Sequence, residues 1–332
     1  MASGYYQGLR VLVAGGTGLI GRQLVALLNA AGAEVSVVSL DDARLAPPDC
    51  EFRRLDLTEK QNCEAACAGM DAVFNLMCAK GSPEMTQAQP ASFFVPNILF
   101  SVNLMEAARA EGVARYLFAS SLAVYPPADV FHEDDAWAGF PSPNDRFAGW
   151  AKRMGELQAE AYAIEYDWHG VSIVRPANTY GPYDDFGQET AMVVPSLIRR
   201  AVSGENPLVV WGDGSAVRDF IHARDVARGM LMAVEQGVSE PLNLGSGTGV
   251  ALRDLVEAIV GPLEAPPDVV WDTSKPSGDA LRVLDTARAR AIGFKPEVSL
   301  EAGIAETMDW YRAHADASAL RYNVFTGAEP AA

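Results

Sequence analysis

Three glycines spaced G-x-x-G-x-x-G, Gly15, Gly18 and Gly21, stand between an apolar run, Leu9-Arg10-Val11-Leu12-Val13-Ala14, and a helical run from Gln23 to Leu28. A strand that ends in such a turn and passes at once into a helix aims unblocked backbone N–H groups and a helix N-terminus at one anion. The simplest anion is the pyrophosphate of a dinucleotide. Gly15 permits the tight turn, Gly18 lets phosphate approach the main chain, and Gly21 lets the helix pack closely on its strand. The competing reading is a glycine-rich turn that binds nothing. A second position bears on the ligand, because an acid about 20 residues beyond the glycines would accept from the adenosine ribose and select NAD. Ser39 falls there, with Asp41 and Asp42 after it and Arg44 and Arg22 near. Serine tolerates a ribose 2′-phosphate and arginine pairs with it, whereas two carboxylates oppose it. The balance points to NAD and leaves NADP open.

The elements around this turn alternate. Val35 to Leu40, Ala72 to Met77, Tyr116 to Ala119 and Val171 to Val174 read as buried strands with amphipathic helical stretches between them. That alternation predicts an α/β fold with a doubly wound parallel (Rossmann) sheet. The clearest helices run from Asn97 to Glu111 and from Trp150 to Tyr166, with Gly112 and Gly170 just beyond as stop signals. After Pro176 the regularity gives way to a segment rich in Pro, Gly and Asp, Gly181 to Gly187, and regular pieces return at Phe220 to Gln236 and Leu242 to Gly245. The chain is therefore expected to cross between two lobes. Residues 1–177 with about 219–247 form the dinucleotide-binding lobe, about 178–218 with 248–315 a smaller C-terminal α/β substrate lobe, and 316–332 a partly loose tail.

A chain of 332 residues exceeds one ordinary core, and 49% apolar content can fill both lobes. A formal charge of −17 and a pI near 4.6 argue against nucleic acid or an anionic membrane as partner. An anionic ligand must then be met by local basic residues. Four cysteines, Cys50, Cys63, Cys67 and Cys78, with no secretory leader before them, point to a reducing cytoplasm without structural disulfides. Cys63 and Cys67 can share a helix face, but no His or further Cys completes a zinc set, so no structural metal is expected. No apolar run reads as the roughly 18 residues that span a bilayer.

Further motifs follow in order: Asp56-Leu57, Ser120-Ser121-Leu122-Ala123-Val124-Tyr125, Lys152, Arg175-Pro176-Ala177-Asn178-Thr179-Tyr180-Gly181-Pro182 and Arg218-Asp219-Phe220-Ile221-His222. With the glycine turn they resemble the extended short-chain dehydrogenase/reductase family, its nucleotide-sugar epimerases, dehydratases and reductases, over roughly residues 9 to 312. Val209-Val210-Trp211-Gly212-Asp213-Gly214 and Lys275-Pro276-Ser277-Gly278 resemble most the GDP-fucose synthase branch. The resemblance implies a homodimer that binds a nicotinamide dinucleotide and a nucleoside-diphosphate sugar, GDP-linked in that branch. Family chemistry sets the nicotinamide against a sugar carbon bearing a hydroxyl, whose proton a Tyr-Lys-Ser set removes. The lysine charge lowers the phenol's pKa and the serine hydroxyl fixes the substrate oxygen. Ser121 matches the serine, and Lys152 the lysine that also holds the nicotinamide ribose. Thr17, Leu19 and Ile20 complete the cofactor turn, Asp56 and Leu57 match an adenine-edge pair, and Asn97 matches an asparagine lining the nicotinamide. For the substrate, Arg218 matches the arginine that grips the diphosphate, with Arg200 and Asn178 beside it and Val193 and Trp211 on the sugar-nucleotide side. Blander roles compete: a capping hydroxyl for Ser121, solvated helix faces for Lys152 and Arg200, a helix cap for Asp56, a core aromatic for Trp211. His222 reads as a hydrogen-bonded structural histidine.

The family tyrosine is missing. Y-x-x-x-K counted back from Lys152 reaches Ala148, whose methyl group moves no proton, and Phe147 beside it has no phenol. Either the tyrosine is replaced or the helix register shifts to put Phe147 in its slot. Both readings remove the usual acid/base, worth about 10²–10⁴-fold in rate, unless Tyr180, Tyr183, Glu84 or Lys80 substitutes. Fucose synthases carry Cys and His where Ala123 and Met192 stand, and 4,6-dehydratases carry Asp-Glu where Leu122-Ala123 stand, so double epimerisation and dehydration are not expected. Three functions remain. The first is an epimerase acting through a transient keto sugar, the second an NADPH-dependent 4-ketosugar reductase, and the third a catalytically silent dinucleotide sensor.

Overall fold

The computed structural model describes residues 4–79, 81–275 and 278–327, and among these seven strands form one parallel sheet. From edge to edge they are Leu242–Leu244, Val171–Pro176, Arg115–Ala119, Ala72–Asn75, Arg10–Ala14, Glu34–Ser39 and Glu51–Arg54. The order reverses between Ala72–Asn75 and Arg10–Ala14, which opens a crevice beyond the carboxyl ends of those strands. Both faces are covered, which is why the strands read as unbroken apolar runs. Val11 and Val13 face the helices Leu19–Ala30 and Ala223–Glu235, through Leu24, Val25, Leu28, Val226 and Met230. Leu12 and Ala14 face the opposite layer, Lys60–Cys67, Pro90–Ala110 and Arg146–Tyr166, through Cys63, Cys67, Leu104, Met105 and Ala159.

Two helices depart from their expected limits. Pro90–Ala110 begins seven residues before Asn97 and carries Pro96 inside it. Proline is normally read as a helix stop because it lacks a donor and its ring crowds the preceding turn, but burial of Phe93, Asn97 and Phe100 outweighs that local cost. The same helix is long and apolar enough, by length and composition, to cross a bilayer, which corrects the expectation that no such run exists. In the fold it packs against the sheet, with Asn97, Ser101 and Leu104 buried. The helix Arg146–Tyr166 begins four residues before Trp150.

A second sheet holds Gly249–Ala251, Val217–His222, Leu281–Leu284 and Val130–Phe131, with Asn178–Tyr180 also paired to Val217–His222. Leu208–Trp211 pairs with Val269–Asp272. The helices Val193–Val202, Leu252–Val260 and Leu300–Ala313 share a separate apolar core with these strands. A buried polar chain joins the two sheets. Arg175 Nη2 donates to Glu156 at 2.6 Å, and Arg175 Nη1 donates to the Tyr125 hydroxyl at 2.9 Å and to the Glu133 carbonyl at 2.8 Å. Tyr125 donates in turn to Asn243 Oδ1 at 2.6 Å, and Asn243 Nδ2 reaches the Phe131 and Asp285 carbonyls. Both charged side chains are nearly closed to water, 1% exposed for Arg175 and 3% for Glu156.

The segment after Ala313 is not loose through residue 327. It folds back over the crevice, where Asp42 N donates to the Leu320 carbonyl at 3.0 Å and Phe186 N to Ser318 Oγ at 3.0 Å. Removing one member of the buried ion pair strands the other in a dry interior. Glu156→Ala is expected to destabilise the fold by about 3–5 kcal/mol, while the double change Glu156→Leu/Arg175→Met recovers most of the loss. Urea unfolding of the three chains checks both.

Candidate active site

The glycine turn opens a cleft of about 1050 Å³ at the carboxyl ends of the central strands. Gly15, Thr17, Gly18, Leu19, Ile20 and Gly21 line one end, with Ser39, Asp41 and Asp56 beside them. Leu76 to Ala79, Ser120, Ser121 and Lys152 form its middle, and Asn178, Tyr183, Met192 and Val193 close it from the small lobe. Ser318, Ala319 and Arg321 to Val324 complete the wall.

The turn fits a dinucleotide pyrophosphate. Gly15 sits at φ +84°, a region that side chains rarely adopt, and its N–H donates to the Val38 carbonyl at 2.8 Å. A Cβ on Gly21 would lie 2.3 Å from the Gly15 carbonyl oxygen, so any side chain there would push the helix off its strand. A Cβ on Gly18 would meet only the Gly15 oxygen, at 3.5 Å, and so would stand in the cleft where a phosphate must come. Gly18 has no side chain to cap the helix and the first turn holds no acid. The first-turn N–H groups are therefore left to an incoming anion.

Ser121 and Lys152 meet in the cleft. Ser121 Oγ accepts from Ala123 N at 3.1 Å, capping the short turn Leu122–Val124. The capping role and the site role coincide, because an oxygen that already accepts keeps its hydroxyl proton to donate. Lys152 is not solvated. It is 7% exposed, and its Nζ donates to the Ala119 carbonyl at 2.8 Å, the last residue of its strand, and to the Met77 carbonyl at 3.2 Å, in the loop after the neighbouring strand. Burial lowers its pKa below the ordinary lysine value.

Ala148 lies one turn before Lys152 in an unbroken α-helix, so the register is not shifted. Phe147 does not occupy the tyrosine slot. Its ring is 38% exposed and packs edge-on against Phe94, 5.8 Å between centroids. Neither residue lines the cleft. Of the substitutes, Tyr183 lines the cleft, and Tyr180 is buried with its hydroxyl toward the Leu300 carbonyl. Lys80 and the Glu84 side chain lie outside the described residues.

Other positions separate into those at the cleft and those beside it. Asp56 caps its own turn, accepting from Thr58 N at 2.9 Å and Thr58 Oγ1 at 2.8 Å, while lining the cleft. Leu57 is a core residue behind that wall. Asn97 acts one layer back: its Oδ1 accepts from Ala79 N at 3.1 Å, and its Nδ2 donates to the Phe93 carbonyl at 2.6 Å, which shapes the loop that lines the cleft. Arg44 turns away to pair with Asp42 at 2.9 Å. Asn178 donates to the Asp219 carbonyl at 2.9 Å and lines the cleft, as does Val193. Arg200 does not reach it. Two turns along its helix from Val193, it binds Glu205 at 2.5 Å and the Val209 carbonyl at 2.7 Å. Trp211 is no core residue, being 55% exposed with the Lys275 ammonium 5.6 Å from its ring. His222 caps the helix Ala223–Glu235 through Nδ1. Arg218 stands half-buried, its pKa lowered by burial and then by the charge of Arg282. Arg282, which binds Asp145 at 2.6 Å, escaped sequence reading. So did Arg321, which lines the cleft from 280 positions beyond its partner Asp41.

The sequence model of the NAD dependent epimerase/dehydratase family matches residues 11–245. A GDP-L-fucose synthase 1 of Arabidopsis thaliana is 30% identical over 311 residues, 91% of this chain and 93% of that protein. A dTDP-4-dehydro-6-deoxy-D-allose reductase of Streptomyces bikiniensis is 30% identical over 327 residues, 95% and 99% of the two chains. The crystal structure of a Thermus thermophilus UDP-glucose 4-epimerase in complex with NAD superposes with a TM-score of 0.80 at 28% identity, covering 92% of this chain and 99% of that one. With the doubly wound sheet, the glycine turn and Ser121 and Lys152 in one cleft, these matches place the chain in the NAD dependent epimerase/dehydratase family.

Proposed function

We propose that this protein binds NAD and a nucleoside-diphosphate sugar and epimerises the sugar through a transient keto intermediate. One observation carries the reading: the phosphate-binding turn, Ser121, Lys152 and the small lobe's wall line a single cleft. A bound nicotinamide would take a hydride from the sugar carbon and return it. The protein does the rest. First-turn N–H groups of the helix Leu19–Ala30 hold the pyrophosphate. Lys152 offers its remaining donor to a ribose hydroxyl and its charge to the sugar oxygen, and Ser121 donates a hydrogen bond to the same oxygen. With no phenol at Ala148, the hydroxyl proton leaves to water in the cleft as the hydride departs and returns from water when the hydride does. Arg218 and Arg282 oppose one another by charge, an arrangement that a diphosphate relieves by taking both guanidiniums. The exposed face of Trp211 is available to flank the nucleotide base.

The reductase relative favours a second reading, net 4-ketosugar reduction with NADPH. An epimerase purifies with dinucleotide tightly held and turns over with none added, whereas a reductase consumes NADPH in proportion to product. The silent sensor is not favoured, because each relative named above is described as an enzyme. The helices Pro90–Ala110 and Arg146–Tyr166 expose Val95, Leu99, Val102, Leu157 and Ile164, which supports a homodimer through these two helices. Four free thiols and the acidic charge agree with a cytoplasmic protein that takes neither nucleic acid nor membrane as partner.

Ala148→Tyr is expected to raise turnover on a panel of nucleotide sugars by about 10²-fold or more, with Phe147→Tyr inert because its ring points at Phe94. No gain from Ala148→Tyr on any sugar would overturn the assignment of that slot. Gly21→Ala is expected to abolish calorimetric NAD binding, since its Cβ would sit 2.3 Å from backbone oxygen. For the dimer, Leu99→Lys with Ile164→Glu should yield monomers by sedimentation at a concentration where the parent chain is dimeric.

A further inference from the structure

Arg321 brings a cation to the end of the strand Glu34–Ser39, where the adenosine ribose of a dinucleotide bound at the glycine turn must lie. Its Nη1 is 3.4 Å from Asp41 Oδ2, and its Nη2 donates to the Tyr183 carbonyl at 2.5 Å. The surroundings of Asp41 matter more than its charge. Oδ1 accepts from Tyr322 N at 2.9 Å, while Thr17 Oγ1 lies 2.7 Å from Oδ2 and 2.9 Å from Ser39 Oγ. The carboxylate that would select NAD by accepting from a ribose 2′-hydroxyl is thus engaged by a backbone N–H and a threonine hydroxyl and faced by a guanidinium.

At this corner Arg22, Arg44 and Arg321 stand beside Asp41 and Asp42, with Asp184 and Asp185 also on the cleft wall after Tyr183. Arg44 and Asp42 cancel one another at 2.9 Å. Asp41 is met by Arg321, and Arg22 adds a further cation with its guanidinium 4.4 Å from the centre of the Tyr183 ring, the residue whose carbonyl Arg321 holds. Arg321 Nε is buried without a hydrogen-bond partner although the residue lines the cleft. A buried guanidinium N–H with no acceptor is costly, so the Arg321 side chain has an N–H to gain by turning its fork toward an incoming phosphate oxygen.

We propose that Arg321 is a specificity-determining residue of the dinucleotide site: held against Asp41 at the adenosine 2′ position, it lets the cleft take the 2′-phosphorylated cofactor NADP(H) at least as tightly as NAD(H). The proposal rests on the reading that the glycine turn holds a dinucleotide. No electron or bond is moved; the role is recognition.

Calorimetric titration of the full chain with NADH and NADPH tests it. The parent protein is expected to bind NADPH no more weakly than NADH. Arg321→Gln should weaken NADPH by about tenfold or more, the loss of one charged hydrogen bond, and change NADH by less than about threefold. Arg321→Lys should restore part of the NADPH affinity, and Asp41→Asn should tighten it. Equal losses for both cofactors in Arg321→Gln would show that the arginine only packs the wall, and would overturn the proposal. A parent chain that binds NADH but not NADPH overturns it too, leaving the dinucleotide reading intact. Binding of neither removes both.

Discussion

The close approach of the helix Leu19–Ala30 to the strand Arg10–Ala14 governs the rest of the structure. It is possible because Gly21 has no side chain, and it fixes where the helix's positive end points. Once that end faces the crevice where strand order reverses, every other part of the cleft is placed by sheet geometry. Ser121 follows the strand Arg115–Ala119, and the carbonyls that hold Lys152 are those of that strand's last residue and of Met77, just beyond its neighbour. Ser121 and Lys152 are thus held close to the ends of hydrogen-bonded strands, which limits their freedom to drift.

The second constraint is the buried chain through Glu156, Arg175, Tyr125 and Asn243. An ion pair this dry gives little net stability against an apolar replacement. Its partners span the helix that carries Lys152, two strands of the large sheet and Phe131 of the second, so it fixes how the two sheets meet. Ser120, at the cleft, donates to Glu156, so the floor of the site and the joint between the lobes share one carboxylate.

Much of this could be read along the chain. The turn and the central strands were legible because each is fixed by local pattern, apolar runs and glycine spacing, whereas Ser121 and Lys152 came from the family resemblance, and the fold brings both to one cleft. The missing phenol at Ala148 was legible from the same resemblance, by counting back from Lys152. What failed depended on partners that residue type and spacing do not show. Arg200 looked available until its helix brought it against Glu205, and Arg44 until it closed on Asp42 two residues away. The helix expected from Asn97 begins at Pro90 instead, with Pro96 held inside it by packing. Arg282 and Arg321 carry no motif, and only the fold brings them to Arg218 and Asp41. Trp211 failed in the other direction, since an aromatic ring in an apolar strand reads as core and proved exposed.

The arginines at Arg218 and Arg282 sit within a molecule of formal charge −17. On the proposed reading, an anionic sugar nucleotide diffusing toward these arginines is repelled at long range and attracted only over the last few ångströms. Dissolved ions shorten the reach of that repulsion, to about 8 Å at physiological ionic strength, and barely touch partly buried contacts. Encounter should therefore quicken as electrolyte is added while the grip, once made, changes little, the reverse of the behaviour of a protein whose overall field steers its ligand in.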